Sequence, residues 1–177
     1  KVSEQYFKYG NHPREMVAWY QAVAFCRWLS EKLGFEVTLP HEYQWEVAAR
    51  YPEGQKYPWG DQFSQELANT SESRLNTTTA VGLYPDGRNR ALELYDLSGN
   101  VWEWCLNKYK QPEDDAVDKS GDVRVLRGGS WLNDQYNARA AARSSPPPQN
   151  RNFENGFRLC RACPPSRPLG TGPSGER

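Results

Sequence analysis

Residues 51–100 are dominated by turn-forming residues and hold few apolar side chains. The segment runs "YPEGQKYPWGDQFSQELANTSESRLNTTTAVGLYPDGRNRALELYDLSGN", in which Pro, Gly, Asn or Ser recurs every few positions. Long ordered loops of this kind are uncommon unless they are functional or held in place by other groups. The sequence therefore predicts irregular loops with few short strands, and a bound cation is one means of holding them.

Two helices and a strand are predicted before these loops. Residues 17–33, "VAWYQAVAFCRWLSEKL", show helical spacing, and Gly34 stands at the usual stop position. "FEVTLP" predicts a short strand, and "HEYQWEVAAR" predicts a second helix in which Glu42 suits the positive end of the helix dipole. The first helix is expected to pack through one apolar stripe, formed by Val17, Tyr20, Ala24 and Trp28 and widened by Phe25, Leu29 and Leu33.

The last third of the chain predicts two more strands and a disordered tail. "VRVLRGGSW" predicts a strand that ends in a glycine bend, and "NGFRLCR" predicts another strand. Residues 164–177 contain a single aliphatic side chain and are expected to be disordered. Residues 1–163 are therefore predicted to form one domain, which is a size that can bury a single core.

Charge and composition limit the partners of this chain. Twenty-two basic residues balance 22 acidic ones, so we expect no nucleic-acid partner. No run approaches the roughly 18 apolar residues that cross a bilayer, and the first residues do not resemble a signal peptide. We therefore expect no membrane insertion, and either a cytoplasmic location or display through other regions.

Only 37% of residues are apolar, yet seven are Trp and ten are Tyr, so large rings should supply both core and contact surface.

The four cysteines do not form a recognisable scaffold. Cys160 and Cys163 make a CxxC pair, but a four-thiolate zinc site needs a second pair, and Cys26 and Cys105 stand alone. The sequence favours reduced or incidentally paired thiols.

Five motifs in register resemble one family. "LPHEYQWEVAAR" is similar to its LPTEAEWExAAR, "YPWGD" to its YPWG, and "LYDLSGNVWEWC" to its LYDMxGNVWEW. "RVLRGGSW" and "NGFRLCR" are similar to its RGGSW and GFRxxR motifs. The chain is thus identified as a member of the formylglycine-generating sulfatase-modifying factor family over about residues 16–162. The resemblance implies an α+β fold, a variant of the C-type lectin fold, with two helices on small twisted sheets and long irregular loops.

The resemblance also shows what chemistry is missing. Enzymes of this family oxidise a substrate cysteine with a copper ion and two cysteines that closely follow GGS. Here that window reads "WLNDQYNARA", which contains no thiol, and copper(I) requires soft ligands. The resemblance allows a Cys26–Cys160 disulfide and gives His41 the place of a helix-capping threonine. We expect no catalytic residue in this chain.

Calcium is the one cofactor that the resemblance implies. The family binds it through the LYDxxGNVWEW motif, which places Asp96, Gly99, Val101 and Glu103 as ligands in a hard oxygen shell. The alternative is that Asp96 caps a turn and Glu103 pairs with an arginine. A second family site would use Asn69 and Thr70, although the acid expected a few residues later falls near Ser73.

Residues 131–158 resemble the diversified segment of proteins rewritten by diversity-generating retroelements, which lies between GGSW and GFR. Aromatic, amide and arginine side chains suit protein recognition, as in antibody loops. We therefore predict a non-catalytic display domain with a protein ligand. The alternative is a paralogue of the formylglycine-generating or non-haem iron enzymes, or an accessory domain, that acts with a missing catalytic module. Arg139 and Arg143 could instead be internal struts. The predicted contacts are Trp131, Asn133, Asp134, Gln135, Tyr136, Asn137, Arg139, Arg143, Asn150, Arg151, Asn152 and Phe153.

Overall fold

The computed structural model describes residues 4–162, so Cys163 and the predicted tail at 164–177 lie outside the described residues. The fold is α+β, as predicted. In chain order, the elements are α1 (Trp19–Leu33), β1 (Val37–Thr38), α2 (Glu42–Arg50), β2 (Trp102–Lys108), β3 (Arg124–Arg127), β4 (Asn155–Gly156) and β5 (Cys160–Arg161). Residues 51–101 are irregular apart from single 3-10 turns at Ser71–Ser73 and Pro85–Gly87.

Two small sheets organise the molecule. The larger has the order β3-β2-β4, in which β2 runs antiparallel to β3 and parallel to β4. The smaller joins β1 and β5 as an antiparallel pair, with Thr38 opposite Cys160. "NGFRLCR" therefore supplies two short strands to different sheets, where the sequence predicted one.

The central strand β2 was not predicted from the sequence. Six of its seven residues are buried, so both faces are covered and no polar alternation marks it as a strand. Trp102 and Trp104 enter one hydrophobic cluster with α1, and Cys105 enters the other with Trp45 of α2. The strand thus separates two cores and holds both helices.

Helix α1 packs through a different face from the predicted one. Its buried residues are Trp19, Ala22, Val23 and Cys26, which follow the i, i+3, i+4, i+7 spacing of a helical face. The predicted stripe is correct at Val17, which is buried, and at Tyr20, which packs against the core, but it is wrong further along the helix. Phe25, Trp28 and Leu33 are in fact exposed, at 40%, 51% and 48%.

Helix α2 begins as the sequence suggested, but Glu42 has a different role. His41 caps the helix, because its Nδ1 accepts the Tyr43 N–H at 3.1 Å, and this confirms a structural histidine. Glu42 is 1% exposed and pairs with arginines, so it is more than a favourable charge at a helix end.

Buried amides hold the irregular loops together. Asn89 Nδ2 donates to the carbonyls of Ala48 and Tyr51, and the carboxamide of Asn100 bonds both the N–H and the carbonyl of Thr79. These side chains replace the missing apolar contacts, because a buried backbone group needs a hydrogen-bonding partner. Within residues 4–162 no helix is both long and apolar enough to cross a membrane.

Candidate ligand-binding site

Two glycines turn the chain out of β3 toward the surface. Gly128 and Gly129 have φ of 98° and 72°, and a Cβ on Gly129 would lie 2.9 Å from the carbonyl oxygen of Asn137. Only glycine tolerates this combination of backbone angle and close approach. The bend therefore fixes where the segment after Ser130 begins.

Residues 132–139, which we call the contact loop, alternate between outward and inward side chains. Ala138 is fully buried, and Asn133 and Gln135 are half-buried. Asp134 Oδ1 accepts the N–H groups of Tyr136 and Asn137 and the Asn137 side-chain amide, so a local turn fixes the loop. The exposed side chains are Leu132, Asp134, Tyr136, Asn137 and Arg139.

Asn133 is an internal hub. Its Oδ1 accepts the indole N–H of Trp102 at 2.7 Å and lies 2.6 Å from the Ser130 hydroxyl, and its carbonyl accepts the Ser71 N–H at 2.9 Å. The amide therefore connects the contact loop to β2 and to the 3-10 turn at 71–73. Its partners Trp102 and Ser71 are distant in the sequence. For that reason the sequence alone predicted Asn133 as a contact residue, like its exposed neighbours.

Arg139 and Arg143 were each predicted to be either a contact residue or an internal strut, and the structure gives them different roles. Arg143 donates from Nε and Nη2 to the two oxygens of Glu42 at 2.6 and 2.8 Å, and its guanidinium lies 4.1 Å from the Tyr109 ring centroid. Arg127 also donates to Glu42, at 2.8 Å. Arg143 is therefore a strut, although its side chain is 30% exposed, whereas the exposed Arg139 lies over the ring of Tyr136 at 5.6 Å.

Two residues outside the predicted segment support the contact loop. Tyr57 donates its hydroxyl to the Gln135 carbonyl at 3.0 Å, and Glu72 Oε1 accepts the Gln135 N–H at 2.9 Å. Burial raises the pKa of Tyr57. Burial also acts to raise the pKa of Glu72, but hydrogen bonds from the Gln135 N–H and neighbouring groups outweigh it and lower that pKa. No sequence pattern connects either residue to the loop.

The remaining predicted contacts lie at the far end of the segment. Asn152 bonds internally, through its carbonyl to Met16 N–H and through its Nδ2 to Glu154, while Asn150 is half-buried and Arg151 is exposed. Phe153 packs on Trp131, with ring centroids 5.7 Å apart. Trp131 is 8% exposed, so this end presents an aromatic cluster rather than a row of polar contacts.

Three of the four predicted calcium ligands, Asp96, Val101 and Glu103, line a cavity of about 340 Å³ together with Arg158, whereas Gly99 does not line it. Glu103 forms a two-point ion pair with Arg158, and its Oε2 also accepts the Trp45 indole N–H at 2.6 Å. The arginine pairing considered for Glu103 is thus present, and Glu103 fits a cation only if Arg158 moves. Asp96 fits better: burial raises the pKa of its carboxyl, and a nearby cation would stabilise the charged form.

Asn69 and Thr70 are buried beside the contact loop. The Asn69 Oδ1 and the Thr70 carbonyl both lie within hydrogen-bond distance of the Ser73 hydroxyl, at 3.0 and 2.7 Å. Ser73 stands near the position where the resemblance predicts an acid, and its hydroxyl contacts the two oxygens that would bind the second calcium ion. Across residues 4–162 no three His, Cys, Asp or Glu side chains converge to hold a metal.

Among the described cysteines, Cys26 and Cys105 are buried and Cys160 is half-buried. Burial and then the charge of nearby Cys160 raise the pKa of Cys26 to about 11, and burial raises the pKa of Cys105 well above its usual range. Residues 127–159 contain no cysteine, so the family's copper site does not fit this chain.

The Sulfatase-modifying factor enzyme 1-like domain family matches residues 2–163. This chain belongs to that family. The domain is 36% identical over 173 residues to a formylglycine-generating enzyme of Streptomyces coelicolor, covering 84% of the chain and 52% of the relative. It is 34% identical over 158 residues to inactive C-alpha-formylglycine-generating enzyme 2 of Bos taurus, covering 80% and 48%. The domain thus spans about half the length of these relatives.

Solved structures confirm the predicted fold. Treponema denticola variable protein 1 aligns with a TM-score of 0.74 and 25% identity, covering 91% of this domain and 76% of that chain. PvdO from Pseudomonas aeruginosa aligns with a TM-score of 0.76 and 26% identity, covering 89% and 65%. The Major Tropism Determinant U1 variant, at 15% identity and a TM-score of 0.53, shares the fold alone.

Proposed function

We propose that this domain is a non-catalytic binding module whose contact loop meets a protein ligand. The observation that carries the proposal is the arrangement of residues 132–139: five outward side chains stand on a loop that inward groups hold fixed. A loop that is already ordered loses less conformational entropy when it binds, which favours affinity. Tyr136 and Arg139 are residue types that supply much of the energy at protein interfaces.

We further propose that a diversity-generating retroelement rewrites residues 131–158. In support, the exposed positions of the contact loop can change without disturbing the core, because Asn133 and the bond from the Gln135 N–H to Glu72 hold the loop from inside. The similarity to a protein named as a variable protein supports the same reading.

Inspection of the gene's surroundings tests the retroelement proposal. It predicts a nearby reverse-transcriptase gene and a near-repeat of the coding region for residues 131–158 that differs from it only at adenines. A locus that lacks both would refute diversification. Metal-dependent oxygen consumption with a thiol substrate would instead establish the alternative, an enzyme-family paralogue that acts with a missing module, and would refute the binding proposal.

A structural calcium ion at Asp96 is a separate proposal. It is supported by the half-buried Asp96 carboxyl, whose Oδ2 accepts the Gly82 N–H at 2.7 Å and which lines a cavity together with Glu103. An ion that binds only the folded state stabilises it, so calcium should raise the melting temperature.

A further inference from the structure

Residues 5–8, which we call the strap, pack across the aromatic end of the diversified segment. The Tyr6 ring lies 5.7 Å from that of Phe153, and the Phe7 ring meets Trp131 edge-on at 5.6 Å. Trp131 and Phe153 are in turn 5.7 Å apart, so the four rings form one cluster. Tyr6 is 67% exposed whereas Trp131 is 8% exposed, and the strap therefore lies over the tryptophan at the molecular surface.

One carboxylate anchors the backbone of the strap. Glu15 Oε1 accepts the N–H groups of Tyr6 and Phe7 at 2.7 and 2.9 Å, and Glu15 is fully buried. The strap belongs to no helix or strand. Its attachment thus rests on this carboxylate, on ring packing and on a long bond from Gln5 Nε2 to the Pro13 carbonyl at 3.4 Å.

Two buried polar atoms beside the strap have no hydrogen-bonding partner among the described residues. They are the indole nitrogen Nε1 of Trp131 and the second oxygen, Oε2, of Glu15. An unmet buried donor or acceptor costs free energy that a better-matched neighbour recovers. The closed strap therefore leaves one donor and one acceptor available to another occupant.

We propose that the strap occupies a ligand subsite and that an extended polypeptide segment with adjacent aromatic side chains displaces it. The strap itself shows the chemistry that fits: two backbone N–H groups on the Glu15 carboxylate and two rings on Trp131 and Phe153. A displacing segment gains further by offering a carbonyl to Trp131 Nε1. This inference rests on the proposed binding function and assigns a partner class to one end of its face.

The strap also sets the affinity of the subsite. A ligand for a state that is open only part of the time binds with an apparent Kd raised by the inverse of the open fraction. Loosening the strap should therefore tighten binding without any new contact. The connection to the diversified segment is direct, because Trp131 and Phe153 both belong to residues 131–158.

A peptide with the sequence of residues 4–9, EQYFKY, contains the strap and is the probe that tests this inference. We expect the labelled peptide to bind the Phe7→Ser variant about tenfold more tightly than the wild-type chain, measured by fluorescence anisotropy. Tyr9→Ser is the matched control: Tyr9 is 58% exposed and stacks on His12, away from Trp131. The peptide EQSSKY should bind neither protein.

Several results would overturn the inference. Equal affinity of EQYFKY for wild type, Phe7→Ser and Tyr9→Ser would do so, as would equal binding of EQSSKY or no binding of either peptide to a folded Phe7→Ser variant. Diversification of residues 131–158, tested at the gene, could still be found in that case, so the two failures are distinguishable.

Hydrogen exchange of the wild-type chain covers the case in which Phe7→Ser does not fold. A strap that opens by itself predicts that the Tyr6 and Phe7 amides exchange at least about tenfold faster than the slowest amides of β2, which open only on global unfolding. Exchange of those two amides at the β2 rate would show that the strap is core and would overturn the proposal.

Discussion

Replacing Asn133 by alanine tests whether the contact loop is held from inside. The change leaves the indole N–H of Trp102 without its 2.7 Å acceptor, and Trp102 is only 5% exposed. An unmet buried donor costs about 1–3 kcal/mol, so we expect a loss near 2 kcal/mol in the free energy of unfolding. For a domain of this size, that corresponds to a melting temperature lower by about 4–8 °C.

Asn137→Ala is the matched control, because the exposed Asn137 side-chain amide bonds the Asp134 side chain, three residues away, at 2.9 Å. Its expected effect is within about 0.5 kcal/mol. Urea denaturation measures the free energy of unfolding of both variants. If this free energy falls with urea concentration at the same slope in each variant, the unfolded states are comparable. Equal destabilisation by the two substitutions would refute the distinction between hub and contact residue.

A double-mutant cycle identifies the bond responsible. Trp102→Phe removes the indole N–H but keeps a ring, so Asn133→Ala should cost less in that background. The expected coupling energy lies between about 0.5 and 3 kcal/mol, as for residues in one hydrogen-bond network. Additive effects would show that Asn133 stabilises the loop through other groups.

Three further outcomes are expected. Glu42→Gln should cost about 3–5 kcal/mol in urea denaturation, because it removes the buried carboxylate from the buried Arg127 guanidinium, while Glu46→Gln, at a 27% exposed site, costs less; equal losses would contradict this. EDTA should lower the melting temperature of the wild type but not of Asp96→Asn, and an unchanged wild-type melt would exclude the ion. Hydrogen bonds from Lys108 lower the pKa of Asp118, so the charged Asp118 stabilises the fold above its ordinary pKa of 3.8 and this stabilisation is lost as pH falls through the lowered value. Lys108→Met should therefore weaken the fall in the free energy of unfolding at acid pH, measured by urea denaturation at several pH values; an unchanged fall would contradict the role given to Lys108.

Local patterns predicted the parts of the fold that are specified locally. The first helix ends at Gly34 in the left-handed conformation, with φ of 72°, where the sequence placed its stop. The glycine bend after β3 was equally visible, because its function depends on two adjacent residues. The α+β class followed from these signals and from the motifs.

Features that depend on distant partners were not predicted. Strand β2 lacks alternation because it is covered on both faces, and the buried side of α1 contains Trp19 and Cys26 rather than Trp28. Glu42 and Arg143 meet across 101 positions, a pairing that no single sequence reveals. For the same reason, the predicted set of ligand contacts contains exposed residues such as Tyr136 together with internally bonded ones such as Asn133 and Arg143.

The pattern of natural variation in residues 131–158 tests the central claim most directly. Sequencing this region across copies of the gene from many isolates gives the replacement frequency at each position. We expect replacements at the outward positions Leu132, Asp134, Tyr136, Asn137 and Arg139, and constancy at inward positions such as Asn133 and Ala138. Replacements spread evenly over outward and inward positions would contradict it.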